Sequence, residues 1–317
     1  MTDIVDPHHH LWHDRGWGAY LLDDLHADTS TVPDVTQTVF VECQASYRDD
    51  GPEHLRPVGE TEFVAGIADA SDDADGAAIV GIVAHADLSL PIDQLDEVLD
   101  AHVDAAGGRF RGIRDALSSA PPDIAPALLI PGGASADKGS DPGFRRGVAH
   151  LGERGFTYDT WHYHFQCDAF LDLARAVPGT TMVLDHFATP IGVGPFEGRH
   201  DEIFETWADD MTALAGCENV VVKIGGLAMP DNGFGWHTDE AKRPDVETFV
   251  AAQQRWYHHT IEAFGPERCM FESNFPVDKF SLDYAVYWDA MRVIADRYSA
   301  GEQAALFAGT ARRVYSL

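Results

Sequence analysis

Lysine is almost missing from this 317-residue chain, which has only Lys138, Lys223, Lys242 and Lys279. Acidic residues number 52 against 22 lysines and arginines, for a formal net charge of −30. A field of that sign repels phosphate, so neither nucleic acid nor an anionic membrane is expected as a partner. Taken with the preference for arginine, it points to a GC-rich genome or a saline habitat. Cysteine is sparse too. Cys43, Cys167, Cys217 and Cys269 are far apart with no Cys-x-x-Cys pair, against a disulfide framework or a cysteine-rich zinc site. Reduced thiols in a cytoplasmic protein are expected. No apolar run approaches the roughly 20 residues that a membrane-spanning helix needs. Met1-Thr2-Asp3 is acidic, with no basic stretch ahead of an apolar one, so no signal peptide is expected. No Pro-, Gly- or Ser-rich linker divides the chain, which favours one domain over 1–317. The partner expected is a small molecule, with self-association as a homo-oligomer allowed.

What recurs is a short β-branched run followed by helix-like sequence. The runs are Asp3–Asp6, Thr38–Cys43, Ala78–Val83, Phe110–Arg114, Gly155–Asp159, Thr181–Asp185, Val220–Ile224 and Cys269–Glu272. Helical stretches such as 91–102, 168–176 and 248–264 alternate with them. That is the pattern of parallel β-α units, and eight of them at this length predict an α/β fold of the closed (β/α)8, or TIM-barrel, type. A doubly wound sheet would carry a Gly-rich loop after its first strand. Here the first strand ends in histidines. In a barrel the segments after the strands cover the catalytic face, so 121–142, 190–196 and 229–244 are candidate lids.

His8 and His10, in Ile4-Val5-Asp6-Pro7-His8-His9-His10-Leu11-Trp12, are two apart. Alternation puts both rings on one face of a strand, about 7 Å apart along it, where they could polarise a carbonyl or ligate a metal. His9 points the other way and reads as structural. His186, after Met182-Val183-Leu184-Asp185, closes the sixth strand; alone it reads as a core histidine, but on one rim with His8 and His10 it reads as functional. Asp185 is a candidate to fix its tautomer. Trp161-His162-Tyr163-His164 ends the fifth strand and suits a substrate wall or a ligand, with His164 the preferred polar contact. Arg114 could clamp a substrate carboxylate, or simply pair with a nearby acid. Water activation requires a base, which Asn274 cannot be; Glu272 and Asp278 are the alternatives.

The His-x-His-Leu-Trp opening, the Arg111-Gly112-Ile113-Arg114 segment, Leu184-Asp185-His186 and Arg268-Cys269-Met270-Phe271-Glu272-Ser273-Asn274-Phe275-Pro276 together resemble the amidohydrolase-2 branch of the amidohydrolase superfamily. The likeness runs along the whole chain with the pieces in order. It implies a TIM-barrel hydrolase, with lactonases for sugar lactones, muconolactones and pyrone dicarboxylates among its relatives. It also implies that His8, His10 and His186 hold one divalent metal, zinc or manganese, or contact the substrate carbonyl directly, as metal-free pyrone lactonases do. Arg114, Trp12, Trp161 and Tyr163 would shape the pocket. The chain departs from the family at Asn274, where Ser-Asp-Trp-Pro becomes Ser-Asn-Phe-Pro and the usual base is lost. Opening of a lactone or similar cyclic ester is the activity expected. Non-oxidative decarboxylation or hydration of a carboxylated ring is a second reading, and a binding protein on the same scaffold a third.

Overall fold

A computed structural model describes residues 3–317. Its eight strands are β1 (Ile4–His9), β2 (Val35–Val41), β3 (Ala78–Ala84), β4 (Phe110–Arg114), β5 (Thr157–Thr160), β6 (Met182–Leu184), β7 (Val220–Gly225) and β8 (Cys269–Glu272). They hydrogen-bond in sequence order, every adjacent pair parallel. Each strand is followed by a helix: α1 (Leu22–Thr29), α2 (Val58–Asp72), α3 (Ile92–Ala105), α4 (Pro142–Glu153), α5 (Cys167–Ala176), α6 (His200–Ala215), α7 (Val246–Phe264) and α8 (Tyr284–Ala295). The ring closes just beyond β8. The Asn274 N–H donates to His8 O at 3.1 Å, the His10 N–H donates to Phe275 O at 2.8 Å, and the Ser273 N–H reaches the Asp6 carboxylate at 3.0 Å. This is a (β/α)8 barrel.

Strand alternation sorts the core into two parts. Ile4, Phe40, Ile82, Leu184, Val222 and Phe271 pack outward with the helices. Val5, Val39, Val41, Val83, Val183, Val221 and Met270 form a separate cluster inside the barrel, plugged by Ala308, Ala311 and Tyr315 from the C-terminal turns. Each buried valine of that layer contributes about 1.5–3 kcal/mol. One step further along several of the same strands, the inward positions change character: Val221 gives way to Lys223, Val183 to Asp185 and Met270 to Glu272. All three are fully buried. In β1 the pairing slips between Asp6 and His9, so Asp6 bonds Ser273 and the α8 residue Tyr284 while His8 turns to the barrel interior. No helix among the described residues is long and apolar enough to cross a membrane.

Candidate active site

The buried polar layer is the floor of the site. Lys223 Nζ lies 2.9 Å from Asp159 Oδ2 and 3.1 Å from Asp185 Oδ1. Arg114 donates from Nε to Glu42 Oε1 at 2.9 Å and from Nη1 to Asp185 Oδ2 at 3.4 Å. Tyr315 closes the bottom with a hydrogen bond to Asp159. These groups are almost fully shielded from water, so each charge depends on its partners. Asp185 is held below the ordinary carboxylate range against its burial by Lys223 and Arg114.

Glu272 sits above this floor between two imidazoles. His186 Nδ1 is 2.7 Å from Oε1, which also accepts the His186 backbone N–H at 3.1 Å. His8 Nδ1 is 2.7 Å from Oε2, but off the line of a hydrogen bond, leaving that oxygen without a donor among the described residues. Burial would raise the carboxyl's pKa, yet His186 and His8 hold it down to about 2. An anion this stable is a poor base. It acts by accepting a hydrogen bond from the His186 Nδ1–H, which leaves Nε2 bare toward the cavity that this ring lines. His10 is fixed the same way: its Nδ1–H donates to Val41 O at 2.8 Å. Burial, followed by the Arg114 charge, holds its pKa well below normal. Neutral His10 therefore presents an acceptor, so it cannot polarise a carbonyl by donating to it; it can ligate a cation or hold a water.

His186 owes its aim to an unusual turn. His186, Phe187, Ala188 and Thr189 have φ of 57°, 55°, 59° and 38°, a left-handed run with no glycine. Such residues cost about 1–3 kcal/mol each unless their surroundings hold them. The Trp207 Nε1–H grips Phe187 O at 2.7 Å, and the Thr189 N–H returns to His186 O at 2.7 Å. Gly226 (φ 71°) makes room, since a Cβ there would stand 2.4 Å from His186 Nδ1.

Asn274, also left-handed (φ 55°), lines the cavity, and Asp278 lies behind it. Asn274 Nδ2 donates to Asp278 Oδ1 at 2.9 Å and the Ala228 N–H to Oδ2 at 3.0 Å. An aspartate at 274 would press two carboxyls together, so Asn274 and Asp278 are a matched pair. Burial raises Asp278 to about 7. Between roughly pH 4 and 7 the folded state then keeps a proton that the unfolded chain has lost, and stability falls as pH rises. Asp278→Asn lacks this ionisation, so the stability deficit of the variant is expected to shrink from pH 5 to pH 8. Urea midpoints at both values check this; a constant or growing deficit refutes it.

The cavity, of about 740 Å³, opens at the C-terminal ends of the strands and is lined by His10, Trp12, Arg114, Trp161, His186 and Asn274 among others. The other expected site residues stand elsewhere. His8 and Glu272 lie beneath the lining. His162 is buried beside Phe170, with neither ring nitrogen partnered among the described residues. His164, expected as a substrate contact, accepts the Ile191 N–H at 3.2 Å and packs on Phe196. Tyr163 works at one remove: its hydroxyl receives the Gly132 N–H at 2.7 Å, and Gly132 lines the cavity. Arg114 does line it, but its donors are engaged by Glu42 and Asp185. Asp185 faces Lys223 and Arg114, and Glu272 fixes the His186 tautomer in its place. Of the loops expected as lids, 121–142 contributes Ile130–Ser135 and Lys138 and 229–244 contributes Met229 and Asp231, while 190–196 contributes no lining residue. Sequence reading missed Lys223, Glu42 and Asp159, although a lysine inside Val-Val-Val-Lys-Ile was a signal of a buried ion pair.

A divalent cation fits this donor set. His8, His186 and Glu272 bring one ligand atom each within 4.8 Å of one another, and Glu272 Oε2 has no hydrogen-bond donor among the described residues. Glu42, Asp159, Asp185 and Glu272 outnumber Arg114 and Lys223 by two formal negative charges. Two imidazoles and a carboxylate suit zinc.

A family model described as Amidohydrolase matches residues 5–317. The chain belongs to the amidohydrolase family. It is a hydrolase, and its relatives span its length. It is 32% identical to the uncharacterized protein y4mH of Sinorhizobium fredii, covering 99% of each chain. It is 27% identical to an L-fucono-1,5-lactonase of Burkholderia multivorans, covering 99% of this chain and 96% of the lactonase. A crystal structure of an amidohydrolase from Burkholderia multivorans with bound zinc superposes with a TM-score of 0.76 at 25% identity, over 99% of both chains.

Proposed function

We propose that this amidohydrolase opens a lactone or similar cyclic ester of a small sugar acid by attack of water on the ring carbonyl. The observation that carries the reading is the pair of bare imidazole nitrogens, His10 Nε2 and His186 Nε2. Each is fixed by an Nδ1–H donated inward, and both rings line one cavity. The relationship to an L-fucono-1,5-lactonase supports the ester class.

In this mechanism His10 Nε2 accepts a hydrogen bond from the attacking water and orients it. His186 Nε2 takes the proton that the water loses. The imidazolium so formed is stabilised by the Glu272 carboxylate at its other nitrogen, the arrangement of a carboxylate–imidazole dyad. Arg114 supplies a fixed positive charge on the cavity wall for the developing oxyanion. When the tetrahedral centre collapses, His186 returns its proton to the departing ring oxygen. One carboxylic acid and one hydroxyl result, with atoms balanced. Loaded with a divalent cation, the His8, His186 and Glu272 set would supply Lewis acidity toward the carbonyl.

His186→Ala is expected to lower kcat/KM by about 10³-fold or more, the scale of removing a general base together with its proton delivery. The loss for His10→Ala is expected to be smaller, about 10- to 100-fold, because only water orientation is removed. Initial rates against a panel of 1,4- and 1,5-lactones, with elemental analysis of untagged protein, check this. Wild-type rates in both variants would sink the proposal.

A further inference from the structure

We propose that Arg15 anchors a carboxylate of the substrate, so that the preferred lactone is anionic, with its acid group at the end away from the reacting carbonyl. This rests on the hydrolytic reading of the cavity. Among the described residues three lysine or arginine side chains line that cavity: Arg15, Arg114 and Lys138. Arg114 is engaged by Glu42 and Asp185, and Lys138 by Asp115. Arg15 has no ion pair and no side-chain hydrogen bond among the described residues; its guanidinium rests only over the Trp12 ring, 5.9 Å from the centroid. Arg15 is exposed, and Arg56 and Arg175 lack side-chain partners too, so what sets it apart is its place: of the cations lining the cavity it is the one that no carboxylate of the described residues holds. An unpartnered fork of five N–H donors at a cavity mouth matches a bidentate carboxylate.

The loop that carries Arg15 is braced. Trp12 and Tyr20 exchange backbone hydrogen bonds of 3.0 and 2.9 Å, the Trp12 indole N–H holds Gly18 O at 2.9 Å, and the Gly16 N–H caps Asp14 at 2.7 Å. Trp12 in turn stacks on His10 at 6.3 Å. The guanidinium and the His10 ring both lie beside the Trp12 indole, so they are no further apart than about 12 Å. A six-carbon chain bearing acid groups at both ends, each with its own hydrogen bond, is long enough for any separation up to that bound. The chemical class is the monolactone of such a sugar diacid, with Trp12 as the wall along which it lies.

The test compares carboxylated with neutral 1,4-lactones of the gluco and galacto series (glucarolactone against gluconolactone, for example) in wild type, Arg15→Gln and Arg15→Lys. Calorimetric titration with glucarate and galactarate runs in parallel. Wild type is expected to favour the carboxylated lactones at least tenfold in kcat/KM. Arg15→Gln should cut that ratio about 10- to 100-fold, through KM, the value of one charge-assisted pair, and Arg15→Lys should restore part of it. An unchanged ratio in Arg15→Gln overturns the anchor. If wild type opens no lactone, the hydrolytic reading fails by itself, and titration decides the anchor. Diacid binding that weakens tenfold or more in Arg15→Gln keeps it; equal binding, or none to wild type, removes it.

Discussion

Glu272→Gln is expected to reduce turnover of any lactone that the wild type opens by about 10³- to 10⁴-fold, the scale found when the carboxylate behind a catalytic imidazole becomes an amide. The substitution keeps the size and one carbonyl oxygen, so the His186 backbone N–H retains an acceptor. It removes the charge that stabilises an imidazolium at His186, and it places an NH2 group where an oxygen now faces His8 or His186. A ring opposed by that donor turns to its other tautomer, and Nε2 no longer offers a lone pair to the cavity. Most of the loss is expected in kcat, since neither Trp12 nor Arg15 moves. Melting curves run alongside confirm that the barrel persists. A loss below tenfold would show that Glu272 is not coupled to the reaction.

Lys223→Met carries the largest expected effect on stability, a loss of about 3–5 kcal/mol, the usual result of leaving a buried charge without its partner. Asp159 and Asp185 both contact the Lys223 ammonium, and no other cation of the described residues reaches Asp159. Without Lys223 their carboxyls are pushed up by burial, so the folded variant takes on protons that the unfolded chain lacks. A folded-state pKa raised in this way gives stability that is lost as pH rises. The deficit is therefore expected to be smaller at pH 5 than at pH 8. Adding Asp159→Asn should recover part of it, because it removes one of the stranded charges. Guanidinium unfolding at both values measures the two effects; a single-variant loss under 1 kcal/mol would mean that water or relaxation replaces the ammonium.

Much of this protein was legible before any coordinates. The short run Val220-Val221-Val222-Lys223-Ile224 and its seven counterparts are a local signal, because a strand buried on both faces reads as a near-continuous apolar stretch, and that signal repeated eight times points to the barrel. His10, His186, Trp12, Trp161, Arg114 and Asn274 were recognisable as candidates because a residue at the end of a barrel strand has one place to go, the rim. The limits were those of pairing across the chain. Nothing near His186 in sequence says that its tautomer is set by Glu272, 86 residues away, and not by the adjacent Asp185. His162 and His164 share the spacing of His8 and His10, yet the fifth strand ends at Thr160 and the chain beyond it has lost the alternation that would aim both rings inward.

The near absence of lysine has the same two sides. By itself the sequence determined that the protein is acidic, rich in parallel β-α units and histidine-tipped at its first strand, since each of these is a property of composition or of neighbours along the chain. Only the tertiary structure decided what the scarce cations do. Lys223 is committed to two buried aspartates from different strands and Arg114 to Glu42 and Asp185, while Arg15 is left facing the cavity. The reason is physical: which charge meets which is set by closure of the ring, and that brings together residues whose separation in sequence carries no trace of it.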